Sequence, residues 1–217
     1  PFPAQENLLL AAGSPDKVLL IGFKNPALKK YTGMSLAQVA KLRGTSPEDT
    51  AIDLVIEDGT RVGTVYFLMD EANVARQTGL PWMAFGSDAE AQAPEGVFLL
   101  SSTHPRAYGN VSRLLGKYVR AENKATLPDA IRRLTSFPAT NLGITDRGLL
   151  KAGNYADVVV FDPATIIDHA TYEKPQQLST GVDHVYVNGV QVLNDGKPTG
   201  KAAGRFVKGP GAGKCAS

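Results

Sequence analysis

Apolar positions along the first two-thirds of the chain fall into short unbroken runs separated by stretches of helical periodicity. The runs at 17–23, 62–69 and 82–87 have strand length. Between and after them the pattern predicts helices over 35–43, 46–58, 70–79, 108–122 and 126–136, with a further helical turn at 138–142. Local chemistry supports these elements. Ser35 and Gln38 stand at capping-box spacing, and Gly44 supplies a stop. Ser46, Pro47, Glu48 and Asp49 open the next helix in the preferred order of cap, first-turn proline and acidic first turn. That helix carries Ile52, Val55 and Ile56 on one face and ends at Asp58-Gly59. In the helix over 126–136, Leu127, Ile131 and Leu134 share a face, and Pro128 is tolerated in the first turn.

The run Trp82-Met83-Ala84-Phe85 reads as a strand buried on both faces, the kind found in parallel sheets. It stops at Gly86-Ser87-Asp88, so a carboxylate stands where the strand leaves the core. In a barrel of alternating strands and helices, the carboxyl ends of strands are where chemistry is placed. Asp88 is therefore the leading catalytic candidate. The competing reading is that it caps the turn or helix that follows. The connection over 88–106 is long for a compact domain and rich in Ala, Pro, Ser and Gly, a feature of lids and binding loops.

After Gly148 the texture changes. The segment 155–162 is a β run closed by Pro163. The segments 184–187 and 190–193 flank Asn188-Gly189, a two-residue hairpin signal. Arg205-Phe206-Val207 is expected to add an edge strand. The chain thus reads as α/β over 1–147, a small β domain over 148–207 and a flexible tail over 208–217. Neither folded part shows enough strands to close by itself.

Composition narrows the partners. Among 217 residues, 43% are hydrophobic and 20% charged, with a net charge of +2. The basic residues are interleaved with acidic ones rather than gathered in the stripe of a nucleic-acid binder. Lys197, Lys201, Arg205, Lys208 and Lys214 make the tail basic, and we read it as solvated. No window approaches the ~20 apolar residues of a transmembrane helix. The lone cysteine, Cys215, lies in the Gly-rich tail and can form no internal disulfide, so no oxidising compartment is implied; a cytoplasmic location is expected.

Three elements occur in order: Gly86-Ser87-Asp88; His104-Pro105-Arg106-Ala107-Tyr108-Gly109; and Lys151-Ala152-Gly153 leading to Ala156-Asp157 and Phe161-Asp162. Val185-Tyr186-Val187-Asn188-Gly189 follows them. Together they resemble the carboxyl-terminal part of the amidohydrolase superfamily. The third element is shared widely across it. The His-Pro-Arg element after Gly-Ser-Asp points to the N-acyl-D-amino-acid deacylases, or D-aminoacylases. The resemblance implies an α/β fold: the last strands and helices of a (β/α)8 metal-dependent hydrolase barrel plus part of a small β-sandwich domain. It implies zinc, with the His-x-His strand, the metal-bridging Cys and two further His upstream of Pro1. His169 and His184 are then surface or strand residues. The pattern departs from the family at Ala89, where Gly is usual, and in the length of 89–103.

Amide hydrolysis needs a nucleophile, a polarised carbonyl and a proton for the leaving amine, and zinc can supply the first two. The resemblance assigns the proton-transfer role, with metal contact, to Asp88. It places a substrate-carboxylate donor at Arg106, where a guanidinium gives the planar, bidentate geometry that an ammonium lacks. An ordinary helix-start arginine is the alternative. His104 and Tyr108 either line the same pocket or support the loop. The expected activity is hydrolysis of N-acyl-D-amino acids, with this chain as the second part of the enzyme and inactive alone. Its expected partners are the N-acyl amino acid, the missing amino-terminal part and a homo-oligomer, with neither nucleic acid nor membrane. A cyclic-amide hydrolase, such as one acting on dihydroorotate, and a non-catalytic scaffold are the competing functions.

Overall fold

The computed structural model of the chain describes residues 7–100 and 102–212. They fall into two units. The first takes the described residues of Pro1–Glu71, Ala89–Ala107 and Ala170–Gln177; the second takes those of Ala72–Asp88, Tyr108–His169 and Leu178–Ser217. The secondary structure is mixed α and β, and no helix among the described residues is long and apolar enough to cross a membrane. Cys215 lies outside the described residues.

The first unit begins with α1 (Leu8–Ala12) and β1 (Val18–Gly22). In α2 (Leu36–Arg43) the Ser35 hydroxyl accepts from the Gln38 N–H, the Gln38 side chain accepts from the Ser35 N–H, and Gly44 closes the helix in the left-handed conformation. At α3 (Pro47–Asp58) the Ser46 hydroxyl accepts from the Asp49 N–H, Pro47 opens the first turn and Gly59 closes the helix in the left-handed conformation. The strand β2 (Gly63–Tyr66) pairs antiparallel with β1, Val18 opposite Tyr66. Val18, Leu20, Leu36, Val39 and Leu54 form the core between this ribbon and the two helices. Burying each such side chain contributes roughly 1.5–3 kcal/mol.

One expectation about α3 is met in pattern but not in direction. Ile52, Val55 and Ile56 do share a side of the helix, yet they are 59%, 49% and 71% exposed; the inward stripe is Thr50, Leu54 and Asp58. A helix with apolar residues on two sides buries the one that meets α2 and leaves the other outside.

The second unit holds α4 (Glu71–Thr78, from Ala72 on), α5 (Arg106–Arg113, from Tyr108 on), α6 (Leu127–Leu134) and α7 (Ser136–Asn141). After α5 the chain continues as a π-helical stretch, Leu114–Ala121, ended by the Glu122 N–H donating to the Lys117 carbonyl. Leu114, Leu115, Tyr118, Val119, Ala130 and Ile166 form the core, with Leu127, Ile131 and Leu134 packed against it as α6's periodicity predicts. Glycine lets this long helical run lie against the 166–168 segment. A Cβ on Gly116 would stand 2.6 Å from the Ile166 carbonyl oxygen, and one on Gly109 2.9 Å from the Asp168 Cβ.

The β region is a four-stranded antiparallel sheet in the order β3 (Val158–Phe161), β4 (Val182–Val187), β5 (Val190–Asn194) and β6 (Lys197–Pro198). Asn188 and Gly189 turn the β4–β5 hairpin at φ of 51° and 79°, as their pairing predicts. Two expected strands are not formed. The 205–207 segment has no strand partner; β6 takes the edge of β5 instead. The 82–87 segment pairs with no strand and starts in a turn that the Met83 N–H closes on the Leu80 carbonyl. A strand exists only where a neighbour supplies its hydrogen bonds, and here those bonds come from elsewhere. The described residues form neither a closed barrel sheet nor a second sandwich layer.

Candidate functional site

The 82–88 segment alternates regularly. Met83, Phe85 and Ser87 are half-buried, whereas Trp82, Ala84, Gly86 and Asp88 are exposed, so the burial on both faces expected of a parallel-sheet strand is not present. Two arginines from one turn of α6 occupy carbonyls at its start and just before it. Arg132 Nη2 donates to the Pro81 oxygen at 2.7 Å, and Arg133 Nε donates to the Met83 oxygen at 2.7 Å. Arg133 also donates from Nη1 to the Thr78 oxygen at the end of α4 (2.6 Å), and its guanidinium lies over the Phe85 ring, 4.3 Å from the centroid. Asp129 lies against both arginines, at 2.9 Å from Arg132 and 3.4 Å from Arg133. Arg133 is wholly buried, and its Nη2 has no acceptor among the described residues.

Asp88 ends this clasped segment at φ 47°, in the left-handed region where a non-glycine residue is uncommon and held only by its surroundings. Its side chain is exposed. It neither opens a helix nor sits next to one, which sets aside the reading of Asp88 as a helix cap.

In the first unit His104 and Arg106 are brought together. The Arg106 backbone N–H donates to His104 Nδ1 at 3.1 Å, and the His104 carbonyl accepts from the Ala107 N–H at 3.0 Å, so His104 caps the start of α5. An accepting Nδ1 leaves the ring proton of neutral His104 on Nε2. Burial, then the positive charge of Arg106, hold its pKa below the ordinary histidine value. The ring meets Tyr172 edge-on at 5.2 Å, and Tyr172 meets Phe67 in the same way at 4.8 Å. The Arg106 side chain is exposed.

Tyr108 belongs to the second unit. Its carbonyl accepts from Ser179 Oγ at 2.9 Å, and its hydroxyl is buried with no hydrogen-bond partner among the described residues. His169 Nε2 meets Thr180 Oγ1 at 2.9 Å, and His184 Nδ1 meets Gln191 Nε2 at 3.3 Å. Among the described residues no three His, Cys, Asp or Glu side chains cluster so as to hold a metal ion. A cleft of about 450 Å³ opens in the first unit beside Lys30, Tyr31, Arg43, Asp53 and Glu57, and none of the predicted site residues lines it.

The sequence model of the amidohydrolase family matches residues 35–193. The chain belongs to the amidohydrolase family. A D-aminoacylase of Alcaligenes xylosoxydans xylosoxydans is 37% identical to it over 197 residues, covering 88% of this chain and 38% of the relative. An N-acyl-D-aspartate deacylase of the same organism is 40% identical over 213 residues, covering 97% and 40%. The crystal structure of the N-acyl-D-glutamate deacylase of Bordetella bronchiseptica, complexed with zinc and a phosphonate mimic of the tetrahedral intermediate, superposes with a TM-score of 0.70. It is 35% identical, over 87% of this chain and 38% of that one. This amidohydrolase chain thus spans about two-fifths of the length of the curated relatives it matches.

Sequence reasoning passed over Arg132 and Arg133, whose adjacency reads as a polar helix surface. The available signal was spacing: Arg133 lies three residues beyond Ala130, on the flank of the apolar face of Leu127, Ile131 and Leu134.

Proposed function

We propose that the chain is the carboxyl-terminal part of a metal-dependent hydrolase that cleaves the amide bond of N-acyl-D-amino acids. The observation that carries this reading is 37–40% identity, over most of the chain, to a D-aminoacylase and an N-acyl-D-aspartate deacylase. In this reading residues 1–147 belong to the last part of a (β/α)8 barrel, residues 148–207 to a small β-sandwich domain, and 208–217 to a tail.

Hydrolysis adds water across the C–N bond. One proton leaves the attacking water, and one must reach the departing nitrogen. Asp88 carries that proton: its carboxylate accepts it from water and returns it to the amine. Arg106 holds the free carboxylate of the acylated amino acid through a two-pronged guanidinium contact. His104 supports Arg106 by capping the helix that begins with it, and Tyr108 is the remaining residue assigned to the substrate. Zinc belongs to this reading, but the described residues do not fit it alone: Asp88 is the one donor that the chain would lend, and the remaining ligands come from other parts of the enzyme.

The test is release of free amino acid from N-acetyl-D-amino acids by the complete zinc-loaded enzyme. Asp88→Asn is expected to lower kcat roughly 10²–10⁴-fold, and Arg106→Lys to raise KM about tenfold with a smaller effect on kcat. Full turnover by Asp88→Asn overturns the proton-carrier assignment. Turnover of a cyclic amide with none of linear substrates overturns the substrate class, and a folded, metal-loaded protein inert toward both would be a scaffold.

A further inference from the structure

We propose that Arg133, assisted by Arg132, is a positioning residue: it holds the 82–88 segment in place and thereby sets where the Asp88 carboxylate is presented. The inference rests on the reading of Asp88 as the proton carrier, and deepens it by naming what aims that group.

Arg133 is wholly buried, yet a buried guanidinium is costly unless acceptors surround it, and a Leu or Met at this place on α6 would pack without that cost. Its acceptors are the backbone oxygens of Thr78 and Met83, at 2.6 and 2.7 Å, and at 3.4 Å the Asp129 carboxylate one turn back on α6. The Met83 N–H closes a turn on the Leu80 carbonyl at 3.1 Å. Arg132 takes the Pro81 oxygen inside that turn, and Arg133 takes the Met83 oxygen where the turn ends, so the two arginines fix how the chain enters the segment. The Phe85 ring under the Arg133 guanidinium extends the contact two residues further.

The segment is thereby clasped from 81 to 85, and Thr78 ties the same guanidinium to the end of α4. Only Gly86 and Ser87 separate the last clasped residue from Asp88. Three residues reach at most about 10 Å, so the clasped Phe85 bounds where the carboxylate can stand. Lysine cannot replace this arrangement. An ammonium has donors enough but is a single point on a flexible stem: it lacks the rigid fork that aims Nε and Nη1 at the two carbonyls, and the plane that lies on Phe85.

The deciding experiment measures amide hydrogen exchange and steady-state kinetics together on the complete enzyme, comparing wild type, Arg133→Lys, Arg133→Met and Asp88→Asn. In Arg133→Lys, exchange over 83–88 is expected to quicken about tenfold or more while the β3–β6 sheet keeps its protection. Turnover is expected to drop roughly 10²-fold with KM changed less than about twofold. A purely structural arginine would instead lower the folded fraction and leave kcat per folded molecule intact; that result overturns the proposal. Wild-type exchange over 83–88 in both Arg133 variants also overturns it. If Asp88→Asn retains turnover, the proton-carrier reading fails by itself, and the exchange rates still decide whether Arg133 tethers the segment. Should Arg133→Met not fold, Arg133→Lys, which keeps the charge and most of the volume, carries the test.

Discussion

Arg147 donates from Nη2 to the side-chain oxygen of Asn188 at 2.5 Å, joining the segment before the β sheet to the turn of its hairpin. Arg147 also pairs with Asp157 and lies over the Tyr155 ring at 4.2 Å, while the Asn188 N–H donates to Asp157 at 2.8 Å. Arg147, Asp157 and Asn188 thus close a ring of charge-assisted hydrogen bonds.

Arg147→Ala should therefore destabilise the β region by about 1.5–3 kcal/mol, and Arg147→Lys should recover less than half of that loss. Urea denaturation of the variants checks both expectations. Burial alone would raise the Asp157 pKa, but the Asn188 N–H and the Arg147 guanidinium outweigh it and hold the pKa below the ordinary carboxylate value. The associated stability is present above that ordinary value and lost as pH falls through the lower, folded one. Arg147→Ala should consequently show a weaker loss of stability between neutral and acid pH than wild type.

The close approaches of the long helix in the second unit predict an order of sensitivity. Gly116→Ala would bring a Cβ to 2.6 Å from a backbone oxygen, whereas at Gly109 the neighbour is the Asp168 side chain at 2.9 Å. Both should cost about 1–3 kcal/mol through overpacking, Gly116 the more. Thermal denaturation giving equal midpoints for Gly116→Ala and wild type would refute the packing described.

The two sides of α3 predict opposite responses. Leu54 is 1% exposed, so Leu54→Ala should cost about 2–5 kcal/mol. Ile56 is 71% exposed, so Ile56→Ser should leave the stability of the isolated chain within about 0.5 kcal/mol. Equal effects in urea titrations would mean that α3 packs by a different face.

His104 should titrate below the ordinary histidine midpoint, as an NMR titration of its ring can show. Its folded pKa is lowered, so the stabilising effect is complete above the unfolded value near 6.5 and is lost as pH falls from there through the folded value. Protonation also removes the Nδ1 lone pair that caps the Arg106 N–H. His104→Ala should flatten this part of the pH–stability curve.

Local signals were legible in the residues and distant ones were not. The Ser35–Gln38 box, the Ser46-Pro47 start, the glycine stops and the Asn188-Gly189 turn all act within a few positions, and each stands where its chemistry places it. The 82–87 segment failed as a strand because strand formation depends on a neighbour remote in sequence, and Arg133 takes its Met83 carbonyl while Arg132 takes that of Pro81 just before it. The burial of α3 was hidden for a related reason. Periodicity reveals which residues share a side but not which side meets α2. Of the candidate site, the His-Pro-Arg element was readable as a unit. The support under Asp88 was not, because Arg133 reaches back fifty positions to Met83 and adjacent arginines on a helix ordinarily face water.

The hairpin turn also bears on how the molecule ages. Asparagine followed by glycine is a weak point of many chains, because the glycine nitrogen can attack the asparagine amide and expel ammonia; asparagine is accordingly scarce in heat-adapted proteins. Here the Gly189 nitrogen donates its hydrogen to the Ala156 carbonyl at 2.9 Å, and the Asn188 amide group is gripped by Arg147 on one side and the Ala203 carbonyl on the other. The nucleophile and the carbon it would strike are thus each anchored elsewhere, and deamidation at this dipeptide should wait on the unfolding of the sheet.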